Sequence, residues 1–266
     1  MSTNPLDDPP GRPHTAGVVP TLSADSFAAL ARSSPWRWST LRFTVRWPAD
    51  RWKTGAARAW LRRPDRLRVE DLEGALLQVV RASPDGDRAV PVLRPDGLVA
   101  GRPAPWAAGT DAPMHQDYHW VAMLDPAELA DGTDPATGLS APGLDLQSLT
   151  EVEHGGRRAW EAVVRTTRAY APRCGCCSLL RSREVDLVEY ADHPQHVLAV
   201  HPRAHRVRLD VGTGVCVLTE EIGGLTPGKG HDLRIEAVDE PMDDDLFVEP
   251  PRPPPPGWPV GPGRVG

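Results

Sequence analysis

Residues 41–47 alternate apolar and polar side chains, and this period of two constrains the fold more than any other feature of the chain. Side chains of a strand point alternately to opposite faces, so the pattern predicts a strand with one buried face. We therefore expect a sheet that covers a hydrophobic core with one of its faces. The apolar positions of this strand are Leu41, Phe43, Val45 and Trp47.

Short apolar segments separated by turn signals extend this pattern along the chain. Turn-forming residues lie at 48–50, 63–65 and 83–86, and the stretch 211–214 reads Val-Gly-Thr-Gly, which favours a hairpin. Because short connections join antiparallel neighbours, the sequence predicts an antiparallel meander. Besides 41–47, the predicted strands are 55–62, 66–70, 75–80, 89–93, 150–154, 158–166, 197–200, 206–210, 215–220 and 233–238.

A helix is predicted before the first strand, over residues 24–32, because one face carries apolar residues at helical spacing. Ser23 is suited to cap its N-terminus. Residues 33–35 read Ser-Ser-Pro and are expected to end the helix, because the residue before a proline avoids the helical conformation. A second, short helix is predicted at 126–130, capped by Asp125.

Proline and glycine are abundant, with 30 and 24 residues in the chain. Proline is excluded from central strands and helix interiors, so long parts of the chain must be loops or tails. We expect residues 1–20 to be a disordered lead, residues 21–249 to form a single domain, and residues 250–266 to be a proline-rich disordered tail. Such a tail is either solvated or bound by an aromatic groove of a protein partner, so a protein-interaction module is one alternative function.

The charge balance and the missing motifs exclude several function classes. A formal net charge of −6 argues against nucleic acid as a partner, because nucleic-acid-binding surfaces are basic. No apolar run approaches the roughly 20 residues of a membrane span. The first residues contain neither a basic nor an apolar signal segment, so a cytoplasmic location is expected. The sequence contains no phosphate-binding loop and no nucleophile elbow, and we expect that the protein is not an enzyme.

Two short motifs resemble those of a known family. The first is Trp60-Leu-Arg-Arg-Pro-Asp-Arg-Leu-Arg-Val69, and the second is Phe247-Val-Glu-Pro-Pro251. Together with a helix, a long meander and a late hairpin, they make the chain similar to the LolA-like lipoprotein-carrier superfamily. The resemblance implies a mainly β fold with α: a curved antiparallel sheet, an unclosed half-barrel, wrapped around one or more helices.

The resemblance also implies where a ligand would bind. Family members hold acyl chains or other apolar molecules in the hollow of the sheet, and the arginine before the proline, Arg63 here, helps to hold the lid helices shut. We therefore expect a non-catalytic binding or scaffold protein whose ligand is a lipid or another apolar small molecule. The alternative is that the same side chains pack on the helix as core. The candidate lining consists of Leu41, Phe43, Val45, Trp47 and Trp60.

A cysteine cluster gives a second functional hypothesis. Cys174, Cys176 and Cys177 lie within four residues, and Cys216 falls on a predicted strand. Thiolates suit zinc, which takes four ligands in a tetrahedron, so a small zinc protein that uses these cysteines is an alternative function. The spacing departs from the usual pair of Cys-x₂₋₄-Cys motifs, which leaves packing in a turn as the other interpretation.

Histidines accompany the cysteines without a clear ligand pattern. Residues 193, 196, 201 and 205 are histidines among prolines, and this loop composition predicts solvated side chains. His115 and His119 are four apart with Asp117 between them. That spacing places both imidazoles on one face of a helix, but the glutamate of a His-Glu-x-x-His motif is missing.

Overall fold

The computed structural model of the chain describes residues 20–50, 55–82, 90–102 and 112–250. Within these ranges the helices are α1 (Ala24–Arg37), α2 (Tyr118–Leu124) and α3 (Arg183–Glu189). The strands are β1 (Thr40–Arg46), β2 (Ala56–Arg62), β3 (Arg66–Asp71), β4 (Leu76–Arg81), β5 (Val92–Leu93), β6 (Val99–Gly101), β7 (Leu144–His154), β8 (Arg157–Thr166), β9 (Ala204–Asp210), β10 (Cys216–Ile222) and β11 (Gly230–Val238).

Nine of these strands form one antiparallel sheet in the order β4-β3-β2-β1-β11-β10-β9-β8-β7. The sheet is open, because β4 and β7 are its two ends. The first and last strands of the chain meet at its centre, where Leu41 pairs with Val238 and Val45 with Leu233. The predicted fold class, a mainly β chain with an unclosed antiparallel sheet and helices, is confirmed.

One face of the sheet is covered by helices and forms the core, and we call it the covered face. Leu41, Phe43 and Val45 of β1 are completely buried on it, as the alternating pattern predicts. Helix α2 packs against them, and the ring centroid of Trp120 lies 5.5 Å from that of Phe43. The remaining large buried side chains of this core include Phe27, Leu30, Trp38, Leu61, Leu67 and Met123.

Helix α1 begins as predicted but does not end as predicted. The Oγ atom of Ser23 accepts a hydrogen bond of 3.1 Å from the backbone N–H of Ser26, which confirms the N-cap. The helix then continues through Pro35 to Arg37. The reason is tertiary: Ser34 Oγ donates to the Leu124 carbonyl at 2.6 Å and accepts from Trp38 Nε1 at 3.1 Å. These contacts stabilise a last turn that local preference disfavours.

Three smaller expectations need correction. Strand 89–93 does not continue the meander: β5 pairs with β6 in a separate two-stranded sheet, and its side chains are largely exposed. Residues 197–200 form no strand, because Pro202 delays the return to extended pairing until β9. The predicted helix at 126–130 is a single 3₁₀ turn, Ala127–Leu129.

The helices in the described ranges are short, and none of them could cross a bilayer: the longest, α1, has 14 residues. The predicted N-terminal lead up to residue 19 and the tail from residue 251 lie outside the described residues. The predicted turn at 83–86 also lies outside them.

Candidate functional site

The predicted apolar lining is not accessible where it was expected. Leu41, Phe43 and Val45 are 0% exposed, because α1 and α2 cover them. Trp47 follows the end of β1 and is half-buried, with its ring centroid 6.2 Å from that of Trp120. The side chains of β1 therefore form core, which was the alternative interpretation.

Trp60 lies on the opposite face of the sheet from this core, so its assignment to the lining is wrong. It pairs with Arg42 on β1 and Arg68 on β3, whereas its neighbours Ala59 and Leu61 are buried on the covered face. Ala57, Ala59 and Leu61 of β2 point inward, whereas Trp60 points outward.

Arg63 lies at the turn between β2 and β3 and reaches both helices. Its guanidinium carbon is 4.0 Å from the ring centroid of Trp38, the residue that follows α1. Its Nη2 donates to the carbonyl of Leu124, the last residue of α2, at 3.3 Å. With a residue exposure of 8%, the side chain is buried between the sheet and the helix ends.

Three of the four cysteines come together in the segment between β8 and α3. The sulfurs of Cys174, Cys176 and Cys177 all lie within 4.8 Å of one another, and those of Cys174 and Cys176 are 3.0 Å apart. All are free thiols. Burial, followed by the neighbouring Cys174 thiol, raises the pKa of Cys177. The hydrogen bond between the Cys176 and Cys174 thiols is the main reason why the pKa of Cys176 is raised.

Cys216 does not join this cluster, so the four-cysteine set is not assembled. It lies on β10 and is 0% exposed. Burial raises the pKa of its thiol, and the sulfur contacts the Leu218 carbonyl at 3.5 Å. Its small, apolar side chain fills the core, which is the usual role of a buried cysteine.

The cysteine segment is anchored to the core on both sides of the cluster. Before it, an Arg173 Nη atom lies 3.6 Å from a carboxylate oxygen of Asp125, whose other buried contact is Arg102 at 2.7 Å. After it, the backbone N–H of Leu179 donates to Glu128 at 2.8 Å. These contacts fix both ends of the segment, while Cys176 itself stays exposed.

Cys176 and Cys177, but not Cys174, line a pocket of about 240 Å³, which we call the thiol pocket. At this end of the covered face the inward positions change from apolar to polar. They carry His205 on β9 and Thr219 and Glu221 on β10, all buried. The pocket lining includes Trp47, His119, Cys176, Cys177, His205 and Glu221.

His119 and the neighbouring His231 are both held by hydrogen bonds. His119 Nδ1 lies 3.1 Å from the Ser178 carbonyl, and His231 Nε2 lies 2.8 Å from the Cys216 carbonyl. Carbonyls only accept, so these two ring nitrogens carry hydrogen. The two remaining nitrogens are 3.0 Å from each other, and a hydrogen bond between them requires a proton on one of the two. Both rings therefore serve to join α2, the cysteine segment and the sheet.

His205 differs from these two rings. It is 3% exposed, and neither of its ring nitrogens has a hydrogen-bond partner within the described part of the chain. Burial lowers its pKa to about 4, so the imidazole is neutral at pH 7. The expectation of a solvated histidine is wrong, because the ring lies on β9 in line with Val207 and Leu209. The alternation of these three residues was the signal that could have placed it inward.

The other predicted histidines are separate from the thiol pocket or engaged elsewhere. His201 Nε2 lies 2.9 Å from a carboxylate oxygen of Asp186, and His193 and His196 are exposed in a 3₁₀ turn. His115 precedes α2, whereas His119 lies in it, so the two do not share a helix. The paired-histidine geometry is therefore absent.

Comparison with known proteins gives a distant likeness in fold. No protein-family model matches the chain, and no curated protein matches its sequence. The crystal structure of MucB resembles this chain with a TM-score of 0.42 and 14% identity over 85% of this chain. The chain spans 62% of the length of that protein. No ligand or activity is transferred on this likeness.

Proposed function

We propose that the chain is a non-catalytic metal-binding protein that holds a zinc ion on the thiolates of Cys174, Cys176 and Cys177. The observation that carries this proposal is the convergence of the three sulfurs within 4.8 Å. Zinc–sulfur bonds of about 2.3 Å place the sulfurs of a tetrahedral site roughly 3.8 Å apart. The cluster therefore needs only small adjustments to accept the ion.

The surroundings of the cluster support a ligand role better than a packing role. Cys176 is exposed, and a solvated thiol contributes no core packing. Three converging thiolates would repel one another, and a divalent cation removes that repulsion while soft sulfur ligands select zinc over magnesium or calcium. Reduced thiols persist in the cytosol, so the proposal includes a cytoplasmic location.

An apolar ligand in the hollow of the sheet is supported less well. Its expected contacts, Leu41, Phe43 and Val45, are completely covered by the helices. A lipid chain would have to displace Trp120 from its contact with Phe43. The sheet and its helices thus serve as the scaffold that positions the cysteine segment.

The proposal is tested by metal analysis of the full-length protein, purified without chelator and then reloaded with zinc. We expect about one zinc per chain, at least tenfold weaker binding in Cys176→Ser, and unchanged stoichiometry in the matched control Cys216→Ala, since Cys216 lies outside the cluster. Substoichiometric zinc in the wild type that Cys176→Ser leaves unchanged would overturn it.

A further inference from the structure

We propose that His205 is the fourth ligand of this ion, so that the thiol pocket closes around a Cys₃His centre. This inference rests on the proposed function, because it requires the three cysteines to bind a metal. It assigns a role to a side chain that the cysteine cluster alone does not reveal. It also predicts that one ligand comes from the rigid sheet and three come from a loop segment.

The hydrogen bonding of the buried His205 ring is the first observation that supports its role as a ligand. A buried imidazole normally pairs both of its nitrogens, because a buried polar group without a hydrogen bond is costly. Neither nitrogen of His205 has such a partner among the described residues, and the residue is only 3% exposed. A bound cation would satisfy one of these nitrogens.

The second step is the position of the ring. His205 lies on β9, which is paired on both sides: with Val164 of β8 and with Glu221 of β10. Its side chain lines the same pocket as Cys176 and Cys177. The sheet therefore presents an imidazole in a fixed position to the segment that carries the thiols.

The third step is the absence of a better-placed donor among the described lining residues. His119 is bonded to the Ser178 carbonyl and to His231. Glu221 accepts a hydrogen bond of 2.7 Å from Thr226, and Asp117 caps α2 by accepting from the backbone N–H of His119. Each of these groups is already engaged, as is the lining residue Asp50, which lies 3.5 Å from Lys229 Nζ, whereas neither nitrogen of His205 is.

His205 is not part of the group of sulfurs that lie within 4.8 Å of one another, so the middle of the cysteine segment, between its anchors at Arg173 and Leu179, has to approach the ring. Between the end of β8 and the start of α3, residues 167–182 form no helix or strand longer than an isolated bridge. Zinc bonds of about 2.3 Å to sulfur and 2.0–2.1 Å to nitrogen would draw the thiols and the imidazole to within roughly 4 Å. Metal binding commonly orders such segments, because the binding free energy contributes to folding.

X-ray absorption spectroscopy of the zinc-loaded, full-length wild-type protein tests the inference. We expect three sulfur neighbours and one nitrogen, with the outer-shell scattering that is characteristic of an imidazole ring. His205→Asn should lose the imidazole signal, keep the sulfur shell and bind zinc at least tenfold more weakly. His196→Asn is the matched control, because His196 is exposed, and it should leave both readouts unchanged.

The wild-type spectrum decides the matter even if His205→Asn fails to fold. Three sulfurs with a light atom that is not imidazole, or four sulfurs, would overturn the role of His205 and leave the proposed metal function standing. A wild-type protein without stoichiometric zinc and without a sulfur shell would overturn both. The two failures are therefore distinguishable in one sample.

Discussion

The guanidinium of Arg63 lies over the indole ring of Trp38, 4.0 Å from its centroid, and donates to the Leu124 carbonyl. One side chain thus joins a turn of the sheet to the C-terminal ends of α1 and α2. Trp38 Nε1 in turn donates to Ser34, whose hydroxyl donates to the same carbonyl. These contacts hold the C-terminal ends of α1 and α2 against the turn between β2 and β3.

Replacing Arg63 should destabilise the contact between the β2–β3 turn and the two helix ends. We expect Arg63→Ala to lower the free energy of unfolding by about 2–4 kcal/mol, because it removes a buried cation–π contact and a charged hydrogen bond. Arg63→Lys should recover only part of this, since an ammonium cannot stack as a plane. Urea denaturation measures the effect. Arg66→Ala, at the first residue of β3 and with 29% of its side chain exposed, is the control and should change stability by less than about 0.5 kcal/mol.

The covered face should respond to truncation as a filled core. Phe43→Ala is expected to cost about 3–5 kcal/mol, because Phe43 is 0% exposed and packs on Trp120. Trp60→Ala, on the opposite face, should cost clearly less although it deletes a larger ring. Chemical denaturation of the two variants provides the comparison. A larger loss for Trp60→Ala would contradict the assignment of faces, and strong binding of a fluorescent fatty acid to the wild type would contradict a filled core.

Asp125 is the buried counter-charge of two arginines. It forms a two-point contact with Arg102 at 2.7 and 2.9 Å, and Arg173 lies 3.6 Å away. Asp125→Ala should therefore destabilise the protein by about 3–5 kcal/mol, because it leaves buried positive charge uncompensated. Thermal and urea unfolding measure the loss. Glu151→Ala breaks the exposed pair with Arg158 and should change stability far less than Asp125→Ala does.

Glu128 should make stability depend on pH. Burial raises its pKa, although the Tyr170 hydroxyl and the Leu179 N–H donate to it. The folded state therefore binds its proton more tightly than the unfolded state, whose pKa is about 4.3. The resulting stability is complete below that pKa and is lost as the pH rises through the folded value. Glu128→Gln mimics the neutral acid, so its stability relative to wild type should increase between pH 4 and pH 7. Urea titrations across this range check it; a constant difference would contradict the raised pKa.

The central architecture could be predicted because local pattern and tertiary structure agree there. The alternation of Leu41, Phe43 and Val45 correctly predicts the buried face of β1. The 211–214 turn joins β9 to β10 as its glycines predict, and Gly214 adopts a φ of 76°. In such places no distant contact has to override the local preference.

The remaining features depend on contacts between distant parts of the chain. Helix α1 passes through Pro35 because Ser34 is bonded to the Leu124 carbonyl of α2, which the sequence did not predict as a helix, and Trp38 is bonded to Ser34. Trp60 faces outward because Ala59 and Leu61, its neighbours on β2, take the inward positions. The buried position of His205 was missed because the prolines before it predict a loop. The loop-like run ends at Pro202, and β9 begins two residues later.

The pairing of β1 with β11 couples the fold to the order of synthesis. A ribosome releases β1–β4 long before Gly230, the first residue of β11, leaves the exit tunnel. Until then the inner edge of β1 presents unpaired backbone N–H and C=O groups, and such an edge invites pairing with a second nascent chain. Strand β11 therefore completes the pairing of the sheet. Premature termination before residue 230 would yield a fragment that is prone to aggregate and dependent on chaperones.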